Sequence, residues 1–208
     1  MVSGSGTGVD GYTDSATFAG QAFTQSRGQF ACRLVGLQAV KGTSIANGAK
    51  VGLMARGDLS NAAASVGLEV SAGRGVHFHV RPESGMPLVD QRPTSVNAET
   101  GLIGSAVILA DDSKPAANYL LRPVWLKLVL AVDRWTAFTS LDGAHWSQAG
   151  QPVVAKFVGA WVGLFATSHQ SGAYVRATFD HVTGFLPSVV VQLASSPQWG
   201  SCTHGSCG

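Results

Sequence analysis

The sequence predicts an all-β fold, and three observations carry that prediction. The helical period is nearly absent: no window of a dozen residues places apolar side chains at i, i+3, i+4 and i+7. Two-residue alternation recurs instead. In "GVHFHVRP", Val76, Phe78 and Val80 fall on one face while His77, His79 and Arg81 fall on the other. Gly, Asp, Asn and Ser turn signals separate the short apolar runs, a spacing that suits an antiparallel sandwich or barrel.

The strands follow in order. The first is "ATFAGQAFT" at 16–24, followed by "GQFACRL" at 28–34, whose Phe30, Cys32 and Leu34 share a face. Next come "KVGLMAR" (50–56), "SVGLEVS" (65–71) and "GVHFHVRP" (75–82). A long connection from Pro82 to Pro123 contains one apolar run, "GLIGSAVILA", expected to form a strand or hairpin. Beyond it lie "VWLKLVLAV" (124–132), "RWTAFTS" (134–140), "AWVGLFATS" (160–168) and "AYVRATFDHVTGF" (173–185). One more apolar strand, "SVVVQLA" (188–194), precedes the glycine-rich ending "SCTHGSCG". The expected organisation is a flexible or docked N-terminal extension at 1–8, a sandwich domain at 9–185 and a C-terminal strand with a cysteine-containing tail at 186–208.

Composition narrows the function classes. Only 12% of residues are charged, against about a quarter in an average soluble domain, while 45% are hydrophobic, so the chain folds rather than staying disordered. The net charge is +2 and the Lys and Arg residues are scattered singly. That leaves no basic stripe for a phosphate backbone, and nucleic acid is not expected as a partner. No apolar run reaches bilayer-spanning length, so membrane insertion is not expected either. The opening "MVSGSGTG" lacks a charged-then-apolar leader pattern, leaving export before this numbering or no export at all. The low charge and the richness in Ser, Thr and Gly favour an extracellular or cell-surface location.

Several blocks carry a family resemblance. The stretch "PVWLKLVLAVDRWTAFTSLDGAHWSQAG" resembles the paired strands of secreted bacterial modules in the concanavalin A-like lectin/glucanase superfamily, of the laminin G-like kind. Trp125, Lys127, Leu128, Asp142, Gly143 and Trp146 carry the match. "AKVGLMARGDLS", "WVGLFATSHQSGAYVRATFDHV" and "DSATFAGQAF … RGQFACRL" are similar to further strands of the same family, over roughly residues 9 to 183. The resemblance implies a two-sheet antiparallel jelly-roll sandwich, concanavalin A-like, here with N- and C-terminal extensions. The connection from 82 to 123 and everything after Phe185 depart from the family pattern. Asp142-Gly143 reads as a tight turn, where positive φ favours glycine and the carboxylate accepts backbone N–H groups.

Glucanases of this superfamily need paired carboxylates on one strand, so that one acid protonates the leaving oxygen while the other attacks or activates water. Glu69, Glu83 and Glu99 are far apart in sequence, and the adjacent Asp111 and Asp112 would point to opposite faces of a strand. No catalytic residue is therefore assigned, and Asp111 and Asp112 remain only weak candidates for a loop calcium site. His77 and His79 could begin a zinc site, but they read more readily as the solvated face of a strand. With Arg81, that face could contact a polar ligand such as a sugar. Arg56-Gly57-Asp58 spells an adhesion tripeptide and is attributed to chance. Trp125, Trp135, Trp146 and Trp161 are expected to pack in the core or on the sheets.

In the tail, Cys32 is expected to be a buried free thiol, which leaves Cys202 and Cys207 to each other. A metal site, a redox pair and a small staple are the options, and a disulfide closing a short loop, formed in an oxidising compartment, is preferred. The function expected is a non-catalytic extracellular subunit of a surface assembly or filament, partnered by copies of itself. Val189, Val190, Val191, Leu193 and Trp199 would form the joint. The alternative is a lectin-like carbohydrate-binding module using His77, His79 and Arg81. A glycoside-active enzyme ranks third, and no cofactor is expected.

Overall fold

The computed structural model describes residues 1–40, 45–46, 48–71, 75–91, 108–109, 118–121, 123–157, 159–185 and 188–193. The elements in chain order are β1 (Val2–Gly6), β2 (Ala16–Phe23), β3 (Arg27–Ala39), β4 (Lys50–Arg56), β5 (Ser65–Ser71), β6 (Gly75–Arg81), β7 (Val89–Asp90) and β8 (Ile108–Leu109). They continue with β9 (Asn118–Leu121), β10 (Val124–Ala131), β11 (Arg134–Ser140), β12 (Ser147–Gln148), β13 (Val153–Val154), β14 (Ala160–Thr167), β15 (Gln170–Thr183) and β16 (Val189–Leu193).

Two antiparallel sheets result. One runs β1-β15-β3-β10-β11-β12, with β8, β9 and β13 attached at its sides; the other runs β16-β2-β14-β4-β5-β6-β7. Alternation decides which side chains meet between them. Val51, Leu53 and Ala55 of β4, Val66, Leu68 and Val70 of β5, and Val76, Phe78 and Val80 of β6 face Phe30, Cys32 and Leu34 of β3 and Leu126, Leu128 and Leu130 of β10 in one buried cluster. Burying each large apolar side chain is worth about 1.5–3 kcal/mol, so this shared face drives the two layers together. Cys32 is fully enclosed, and burial pushes its thiol pKa far up, keeping it protonated.

The two ends of the described chain form sheet edges on one flank. Residues 1–8 carry β1, which pairs with β15, while β16 pairs with β2 along its whole length. Gln192 Nε2 donates to Ser5 O at 3.4 Å and links the flank across the two sheets. The C-terminal strand thus finds a partner in its own sheet: Leu193 is buried, while Val190 is 70% exposed.

The outer face of the seven-stranded sheet is divided. Toward β2, β14 and β16 it is apolar, with Ala16, Phe18, Met54, Phe165 and Leu193 packed under Val9. Toward β4, β5 and β6 it is polar, and the segment from Gly8 to Ser15 loops over it. Gly8 and Ser15 bridge each other, Asp14 N–H donates to Asn61 O, and Leu88 N–H donates to Gly11 O.

Candidate functional site

That loop changes the reading of the polar strand faces. Arg81 was expected to stand on a solvated face beside His77 and His79; it is fully buried, as is Arg56. Arg81 Nη2 donates to Asp14 Oδ1 at 2.7 Å, and its other nitrogens reach the carbonyls of Met86 and Ala63 at 3.1 Å. Arg56 Nη1 donates to the other oxygen of Asp14. A guanidinium satisfied on every side in this way is a structural tie. Arg81 is therefore corrected from a ligand contact to an anchor for the N-terminal loop, because the loop's carboxylate supplies the partner that water would otherwise be. Arg56 is likewise buried while Asp58 is exposed, so Arg56-Gly57-Asp58 does not present its guanidinium to a partner as an adhesion motif would.

Beside this anchor the loop leaves a cavity of about 280 Å³ lined by Asp10, Lys50, Glu69, His77, His79 and Asp90, with Gly11 and Leu88 at its margin. Lys50 and Glu69 lie on neighbouring strands, and Glu69 pairs directly with His77 of β6. Lys50 Nζ holds Asp10 Oδ1 at 2.5 Å and Glu69 Oε1 at 2.9 Å. Burial alone would lower the Lys50 pKa, but the Glu69 and Asp10 carboxylates raise it overall, so the ammonium stays charged. Asp10 is the mirror case: partial burial raises its pKa, and the Lys50 hydrogen bond and charge carry it below the usual range.

The cavity is graded in depth. Asp10 and Asp90 side chains are 52% and 30% exposed at the mouth, His77 is 12% exposed with its Nδ1 at 3.1 Å from Asp90 Oδ2, and Glu69 and His79 form the floor at 1%. His79 Nδ1 lies 3.3 Å from Glu69 Oε2. Even so, Glu69 Oε2 and both imidazole nitrogens of His79 lack a properly formed hydrogen bond among the described residues. Burial pushes the His79 pKa down, so the imidazole is neutral and presents one donor and one acceptor. Gly67 makes room for it: a Cβ there would lie 2.1 Å from His79 Nε2. Buried polar groups left without partners cost about 1–3 kcal/mol each, so the floor favours a polar occupant.

In the sequence Glu69 stands alone among apolar and turn residues. Pairing of β4, β5 and β6 brings it to Lys50, His77 and His79. The signal that could have found the site was the charge at matching outward positions of three consecutive strands, with Asp10 and Asp14 just upstream. Other expectations fall elsewhere. Asp111, Asp112, Trp199, Cys202 and Cys207 lie outside the described residues, and Val189, Val190, Val191 and Leu193 form β16. Among the described residues no cluster of three or more His, Cys, Asp or Glu could hold a metal ion.

Trp125 and Trp146 do not offer a free stacking platform among the described residues. Trp125 and Trp146 stand half-buried on the outer face of the nine-stranded sheet. Lys127 Nζ covers the Trp146 ring at 3.8 Å, while the Arg33 guanidinium and the His181 ring cover Trp125 at 5.6 and 5.0 Å. Their π faces are already engaged. A second cavity, of about 180 Å³, lies at the end of the sandwich between Phe23, Leu130, Val132, Trp135 and Phe157.

A family model described as the beta xylosidase C-terminal concanavalin A-like domain matches residues 95–183. The sandwich is a concanavalin A-like jelly roll. The match to this domain class begins inside the connection from 82 to 123, although the strand blocks that carry the resemblance lie outside that connection. Among solved structures, the concanavalin A-like sandwich is similar to xylan beta-1,4-xylosidase from Bacillus halodurans C-125, with 14% identity, a TM-score of 0.50 and coverage of 79% of this chain and 30% of that one. It is similar also to a functionally unknown protein from Saccharomyces cerevisiae (16% identity, TM-score 0.49, 88% and 77% covered). A third is the GH43 BlXynB protein from Bacillus licheniformis (17% identity, TM-score 0.47, 74% and 27% covered). The chain thus spans less than a third of the length of the two Bacillus proteins. No curated protein sequence matches it.

Proposed function

We propose that this concanavalin A-like domain is a non-catalytic, extracellular carbohydrate-recognition module, and that the cavity between the N-terminal loop and β4–β6 holds the sugar. The observation that carries this reading is the pair of deeply buried polar groups, Glu69 and His79, that line an open polar cavity without completed hydrogen bonds. Hydroxyl groups, which both donate and accept, would complete them. The volume suits a single sugar unit, near the lower end of the range for ligand pockets. The matched family, whose name places it at the C-terminus of a beta xylosidase, adds support.

The non-catalytic part rests on charge. Glycoside hydrolysis needs a carboxyl that stays protonated until it serves as the acid. Asp10, held ionised by Lys50, is not such an acid, and Glu69 gives its Oε1 to the same ammonium. Isothermal titration of the full chain against a panel of oligosaccharides tests the proposal. Saturable binding that weakens at least tenfold in His77→Ala is the expected result; no binding to any member, with the fold intact, would overturn it.

A second reading, self-assembly through the terminal strands, is favoured by one observation. β16 is the last strand of its sheet among the described residues, and Val190 stands 70% exposed on it. Such an edge can accept a strand from another copy. Light scattering of the wild type beside Val190→Lys tests it: concentration-dependent oligomers lost in the variant would support assembly, and a monomer throughout would remove it.

A further inference from the structure

The cavity's charge selects among sugars, an inference that rests on the carbohydrate reading above. Three carboxylates, Asp10, Glu69 and Asp90, line it against one ammonium, Lys50. The three carboxylates of the lining outnumber its one ammonium by two. Lys50 gives two of its three donors to Asp10 and to Glu69 Oε1, and those two carboxylates offset its charge. Glu69 Oε2 is the unspent acceptor at the floor, 1% exposed and without a hydrogen bond among the described residues.

We propose that the cavity takes an amino sugar, one saccharide unit whose protonated amine pairs with the Glu69 carboxylate while its hydroxyl groups meet His77 and His79. An ammonium placed there forms a charge-assisted hydrogen bond in a shielded setting, about twice as strong as a neutral one. A neutral sugar fills the same volume without that bond. A uronic acid brings its carboxylate toward Glu69 and Asp90 and is repelled. Neutral His79 can accept from, or donate to, a hydroxyl group and so serves the sugar rather than the charge.

The test is isothermal titration of the full chain, at mildly acidic pH, with four trisaccharides of matched linkage: glucosamine, N-acetylglucosamine, glucose and a uronic acid. Butylamine is added as a non-sugar amine. The glucosamine trimer is expected to bind about tenfold or more tightly than the glucose trimer, with the uronic acid weakest and butylamine below detection. That preference should disappear in Glu69→Gln and shrink in Asp90→Asn, the latter a mouth residue whose change does not threaten folding. Equal binding of the glucose and glucosamine trimers, or tighter binding of the uronic acid, would overturn the amino-sugar inference while leaving a carbohydrate site in place. Butylamine binding as tightly as the glucosamine trimer would overturn sugar recognition as the basis. Absence of binding by every saccharide would overturn both readings.

Discussion

Asp14 shows how much rests on single side chains in this protein. Fully buried, it accepts from Arg56 on one oxygen and from Arg81 on the other, and so fastens the N-terminal loop over the sheet. Asp14→Ala leaves two guanidinium groups buried without their carboxylate. The expected loss is about 3–5 kcal/mol in chemical denaturation, together with opening of the cavity. His79 gives a pH signature. Burial holds its folded-state pKa below the unfolded value, so the unfolded chain binds the proton first as pH falls. Its contribution to stability is full above roughly pH 6.5 and is lost below it, with a slope of at most about 1.4 kcal/mol per pH unit. His145 works in the opposite sense, since the hydrogen bond to Asp142 raises its pKa. The difference between wild type and His79→Gln isolates the His79 effect: denaturation midpoints measured from pH 7 to pH 5 should fall more steeply in the wild type.

At the scale of elements, the β10–β11 turn carries visible strain. Val132 adopts φ +65° and is 63% exposed, a conformation that branched side chains resist. Val132→Gly should raise stability by about 1 kcal/mol, read as a higher melting temperature; an unchanged or lower value would show the turn to be relaxed. The Ser140–His145 turn is the opposite case. Gly143 supplies φ +77°, and Asp142 Oδ1 accepts from the backbone N–H groups of Ala144 and His145. This turn was legible from Asp-Gly alone, because its geometry is local. Strand positions were legible for a related reason: "KVGLMAR" and "SVGLEVS" coincide with β4 and β5, since alternation and turn residues mark them without reference to the rest of the chain. What covers the outer face of β6 was not legible. His79 and Arg81 look solvated until the loop from Gly8 to Ser15, some 70 residues earlier in the chain, is seen to lie across them. No local pattern encodes that contact.

For the whole molecule, the division of the outer sheet face into an apolar half under Val9 and a polar half under Asp10 and Asp14 turns a sandwich into a candidate binding module. The shared core accounts for the fold; the loop accounts for the cavity. The concanavalin A-like architecture was recognisable from the strand blocks, whereas the site depends on three strands and a distant loop meeting in register. The most direct measurement is a crystal structure of the full chain grown with the glucosamine trisaccharide. One sugar unit is expected in the cavity, with its amine at Glu69 and hydroxyl groups at His77 and His79. A ligand resting on the Trp125 and Trp146 face, or a cavity filled only by water at saturating sugar, would contradict the assignment of the site.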